Sequence, residues 1–88
     1  MTFADAKEIL EKVRFDMNYV SILNSPMVKA GDGIVALFEN GIYKVYATDR
    51  HVPFNVSEFT NEDEASRDFL ARVFDGFDSF YDFPKDIL

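Results

Sequence analysis

The chain has no cysteine and one histidine among its 88 residues. Disulfides and thiolate metal sites are therefore excluded, and a zinc site would need three or four Cys, His or carboxylate ligands at set spacings that one imidazole does not supply. A cysteine nucleophile is equally excluded. A Ser-His-carboxylate triad would have to combine His51 with Ser21, Ser25, Ser57, Ser66 or Ser79, none of which sits in a nucleophile-elbow sequence. Long apolar runs are missing too: the longest, Ile34 to Phe38, is five residues, against about 20 for a membrane-spanning helix. The opening MTFADAKEILEKV carries acids where a signal peptide needs an unbroken apolar stretch. These shortages fit a reducing compartment, so the expectation is a cytoplasmic protein with no membrane partner.

Basic residues are scarce as well, 9 Lys and Arg against 16 Asp and Glu, for a net charge of −7. The imbalance is local: residues 1–56 hold seven acids and six bases, residues 57–88 nine acids and three bases. An acidic C-terminal third repels nucleic acid and anionic lipid and attracts basic partners through a field that salt screens, although acidity also serves solubility. Apolar mass is abundant: 48% of residues are hydrophobic and 16% aromatic, including ten Phe and four Tyr. That supply lets packing hold a fold just above the size, about 80 residues, below which disulfides or a metal are often needed. The length fits a single domain over residues 1–88, with a core in 1–75 and an aromatic, acidic extension in 76–88.

Thr2, with Asp5 in capping-box spacing, opens a helix expected over about residues 3–15, along which Phe3, Ala6, Leu10, Val13 and Met17 recur at helical intervals. Its other face, with Lys7, Glu8, Glu11 and Lys12, reads as solvated. Asn18 to Leu23 reads as a short strand ended by Asn24-Ser25-Pro26. Ile34 to Glu39, Asn40-Gly41 and Ile42 to Thr48 form the clearest pattern in the chain, a hairpin closed by a type I′ turn. The first arm is apolar throughout, which predicts burial on both faces. The second sets Tyr43, Val45 and Ala47 on one side and Lys44, Tyr46 and Thr48 on the other.

Another strand is expected near Val52 to Glu58, with Phe54 and Val56 alternating against Asn55 and Ser57. Pro53 assigns it to an edge or delays its start. Thr60 or Asn61 then caps a helix that turns Glu62, Ser66, Phe69, Leu70 and Val73 inward and Glu64, Asp68, Ala71 and Asp75 outward, ending near Gly76. The fold expected is α+β: helix, antiparallel β-meander of three to four strands around a central hairpin, and a helix packed on the sheet.

Two features could bind a partner. One is the acidic stripe Glu64, Asp68 and Asp75, which Arg67 and Arg72 would blunt at helical spacing and which also reads as an ordinary solvated face. The other is the tail, where Phe74, Phe77, Phe80, Tyr81 and Phe83 alternate with Asp75, Asp78 and Asp82. The tail either extends the core or presents aromatic anchors inside a negative rim. Partner contacts are placed on Glu64, Asp68, Asp75, Asp78, Phe77 and Tyr81, with Asp49 and Arg50 in the polar connection as a further pair.

AKEIL in the first helix, NYVSI after it, ENGIYKVYATDR in the hairpin and FTNEDEASRDFLARV opening the last helix carry a family likeness. Across residues 4–74 the chain resembles small immunity proteins of bacterial polymorphic-toxin and contact-dependent growth-inhibition systems. It departs from them in having Tyr43 where a tryptophan is usual, Ala47 for a glutamate, and Asp49-Arg50 in place of a longer acidic turn. The resemblance implies a protein that neutralises a cognate toxin by binding it, without a cofactor. Acidity suits a basic, nuclease-type target, and with the catalytic parts missing the expectation is a non-enzymatic chain, monomeric or weakly homodimeric. It carries no binding residues across. The alternatives are an acidic inhibitor of another class, such as a phage-encoded nucleic-acid mimic, or a small enzyme using a carboxylate pair.

Overall fold

In a computed structural model that describes all 88 residues, the Thr2 hydroxyl accepts the Asp5 N–H (3.1 Å) and the Asp5 carboxylate accepts the Thr2 N–H (2.9 Å). This reciprocal cap starts helix α1, Phe3–Lys12. The helix is shorter than expected because Arg14 adopts a positive φ of 58°, which stops helical propagation and turns Phe15 back to the core.

A 3₁₀ turn at Met17–Tyr19 leads into a four-stranded sheet of β1 (Val20–Ile22), β2 (Gly33–Glu39), β3 (Ile42–Asp49) and β4 (Val52–Phe59), in that spatial order. The central hairpin pairs Glu39 with Ile42 and runs in register to Gly33 and Thr48. Asn40 (φ 53°) and Gly41 (φ 77°) take the two positive-φ positions of its turn, as the Asn-Gly pair predicts.

β2, β3 and β4 form the expected antiparallel meander around the central hairpin, and β1 joins its edge by pairing parallel with β2. Residues 23–32 cross the outer face of the sheet, where Val28 is buried against Val35 and Tyr46 and the Tyr46 hydroxyl donates to the Pro26 carbonyl. Such a crossover lets consecutive strands run the same way. Burial, with Glu39 behind it, raises the Tyr46 phenol above its ordinary value, so the hydroxyl stays protonated to donate. At the start of β2 a Cβ on Gly33 would lie 1.9 Å from the Tyr19 carbonyl oxygen, so only glycine lets the two segments meet.

Helix α2, Glu62–Gly76, covers the inner face. Asn61 rather than Thr60 caps it, accepting the Glu64 N–H at 3.1 Å. Ala65, Ser66, Phe69, Leu70, Val73 and Phe74 are buried, while Glu62 sits at the rim of that face and accepts the Phe3 N–H at 2.9 Å. The Phe3 ring joins the layers, 5.7 Å from Tyr43 and 5.8 Å from Phe69.

β4 is a free edge with a bulge: Val45 pairs with Ser57 and Ala47 with Phe54, leaving Asn55 and Val56 opposite Tyr46 alone. Asn55 takes a positive φ of 53° to allow it. The extra residue shifts the parity, so Phe54 and Ser57 share the inner face and Val56 lies on the outer one. This corrects the expected alternation of Phe54 and Val56 against Asn55 and Ser57. Pro53 and the bulge together blunt the edge as a template for another strand.

The core also continues past residue 75. Phe83 is 5% exposed and stacks on Phe74 at 4.5 Å; Phe15 packs against Phe77 (5.0 Å), Tyr81 (4.9 Å) and Phe83 (6.1 Å). The Tyr81 hydroxyl accepts the Asp16 N–H at 3.1 Å. The tail is thus an integral wall of the domain, closed by a 3₁₀ turn at Lys85–Ile87.

Candidate protein-binding surface

The acidic stripe on α2 is only partly free. Asp68 is half-buried and accepts from the Arg72 Nε at 2.9 Å, and Arg72 Nη2 donates to the Ser57 hydroxyl at 3.0 Å. This pair therefore fastens α2 to β4. Arg67 reaches back to Asp63 (2.9 Å) and not to Glu64, the partner that sequence spacing offered. Asp63 also receives the N-terminal ammonium; hydrogen bonds from that group and from Arg67 hold its carboxyl below the ordinary carboxylate value. Asp78 forms an ion pair with Lys85. Glu64 and Asp75 are exposed and make no ion pair. Asp75 and Asp78 meet at a shallow depression with Ala71, Phe74, Lys85 and Leu88.

Asp49 and Arg50 lie elsewhere, at the tip of the β3–β4 hairpin, where they line a second hollow with Val52 and Phe54. Arg50 (φ 51°) and His51 (φ 67°) occupy both positive-φ positions of a two-residue turn without a glycine or asparagine. Two bonds from the outer-face crossover hold them there: Asp32 Oδ1 accepts the Arg50 N–H (2.7 Å) and the Gly31 carbonyl accepts the His51 N–H (2.9 Å). The Arg50 guanidinium has no carboxylate partner and projects from a fixed backbone.

Phe77 and Tyr81, expected as partner contacts, are half-buried and engaged with Phe15; Phe77 also packs on Tyr19 at 5.4 Å. The aromatic that the tail does expose is Phe80, at 78%. Sequence spacing gives no means of separating Phe80 from Tyr81, because residues 77–80 form a turn and not a continued helix. On β4, Val52 (63%), Phe54 (45%) and Val56 (54%) are also exposed, but the bulge divides them between two faces.

No three His, Asp or Glu side chains cluster in a way that could hold a metal ion, and no helix is long and apolar enough to cross a membrane. Compared with known protein families, curated proteins and solved structures, the chain matches none.

Proposed function

We propose that the chain is an immunity-type inhibitor that neutralises a basic bacterial toxin by binding it, through the outer face of α2 and the tail that follows. The observation that carries this reading is the state of the carboxylates there: Glu64 and Asp75 are exposed without a cation, on the third of the chain that holds nine acids and three bases. Uncompensated charge on a rigid helix steers an oppositely charged partner and speeds association. The asymmetry of charge counts against nucleic-acid mimicry over the whole surface, since residues 1–56 are nearly neutral.

The test is protection of cells expressing the toxin encoded beside this gene, with binding kinetics on the purified pair. Glu64→Lys with Asp75→Lys leaves the fold intact and lowers the association rate. The difference from wild type shrinks as ionic strength rises and the Debye length falls from about 30 Å to about 8 Å. Equal association rates at every salt concentration would remove this surface from the reading, and absence of protection would remove the toxin.

A further inference from the structure

Resting on that reading, we infer that Phe80 is the anchor of the interface, inserting into an apolar pocket ringed by Lys or Arg on a basic partner protein. Phe80 has the largest exposure of the chain's exposed large hydrophobic residues, 78% against 63% for Val52, the next. A phenylalanine left in water forgoes the stabilisation of burial, and the Phe80 ring joins neither the core cluster nor any of the chain's aromatic pairs. Position 80 is nonetheless fixed. Its N–H donates to the Phe77 carbonyl (3.0 Å), Phe77 is wedged edge-on to Phe15 (5.0 Å), and the next residue, Tyr81, is tied through its hydroxyl to the Asp16 N–H (3.1 Å). An aromatic ring presented on an ordered turn binds with little ordering entropy to lose, which is the property of interface hot spots.

The surrounding charge selects the occupant. Asp82 stands two residues beyond Phe80, Asp75 lies on the last turn of α2, and both are exposed without an ion pair. The nearest cation in sequence, Lys85, is committed to Asp78. Such a rim repels nucleic acid and anionic lipid, and it disfavours a second copy of a chain whose net charge is −7. A basic protein is the partner that gains from both the ring and the rim.

The experiment places photoreactive p-benzoylphenylalanine at position 80 or, for comparison, at position 54 in the full chain, expressed in the cells that encode it. Cross-linked proteins are identified, and the purified partner is then titrated with wild type and Phe80→Ala. Cross-linking from position 80 to a protein of basic isoelectric point, with a tenfold or greater loss of affinity in Phe80→Ala at an unchanged urea midpoint, is the expected result. No cross-link at position 80, a neutral or acidic partner, or a loss below tenfold would overturn the inference. If the partner meets every expected criterion but is harmless when expressed alone, the anchor stands and the toxin reading falls. A toxic partner that binds Phe80→Ala as tightly as wild type leaves the toxin reading standing and removes the anchor.

Discussion

Replacing Arg50-His51 by Asn-Gly should stabilise the protein. Both residues sit in the left-handed region, at φ 51° and 67°, which costs an ordinary L-residue roughly 1–2 kcal/mol each. The bonds that hold the turn come from main-chain N–H groups to Asp32 and Gly31, so they survive the exchange. Two terms offset the gain: glycine's extra freedom in the unfolded chain, about 0.5–1 kcal/mol, and loss of the His51 ring, which sits over Gly31. The net expectation is about 1–2 kcal/mol of added stability, equivalent to a melting temperature raised by about 4–8 °C per kcal/mol for a domain of this size. Urea unfolding followed by circular dichroism measures it, and an unchanged slope is required for the comparison to concern stability alone. Gly41→Val supplies the opposite sign: Gly41 has φ 77° and nothing within 4 Å of a built Cβ, so any loss there is conformational and not steric. A midpoint for the Asn-Gly variant equal to or below wild type would refute the account of the Arg50-His51 turn as strain held by its neighbours.

Thr48→Val should raise stability by about 1 kcal/mol in the same assay, because the buried Thr48 hydroxyl has no hydrogen-bond partner and the replacement is close in shape. Phe83→Ala should cost about 3–5 kcal/mol if the tail is a core wall; a loss below 1 kcal/mol would make it a detachable extension. Asp63→Asn should flatten the acid limb of the stability curve. The Asp63 carboxyl titrates below its unfolded value, so its contribution is present above that value, near pH 4, and is lost as pH falls through the folded one; an identical acid limb in the variant would show that Asp63 is uncoupled from folding.

What the sequence makes legible is local. Asn40-Gly41 specifies its hairpin because only that backbone chemistry suits both turn positions, and Thr2 with Asp5 specifies a helix start through bonds spanning three residues. The second two-residue turn was not legible, because Arg50 and His51 carry no turn signature and are held by Asp32 and Gly31, about twenty positions away. The direction of β1 depends on where Val28 and Pro26 dock across the sheet, and a strand of three residues holds no record of that. The bulge at Asn55 is a matter of one residue, yet it reverses which side chains share a face.

The same distinction governs the candidate surface. Helical spacing places Glu64, Asp68 and Asp75 outward correctly, but an outward carboxylate attracts a partner only to the extent that its own chain leaves it unpaired. That depends on which acid each arginine chooses. Arg67 pairs with Asp63 one helical turn back, the same carboxylate that the N-terminal ammonium reaches from 62 residues away in sequence, and so Glu64 is left free. Arg72 takes Asp68 because Ser57 on the neighbouring strand receives its other nitrogen, and so Asp68 is used up. The tail follows the same logic with aromatic rings: Phe15 accommodates Phe77, Tyr81 and Phe83 together, which leaves Phe80 as the ring the core does not take. In this chain the residues available to a partner are those the tertiary fold does not consume.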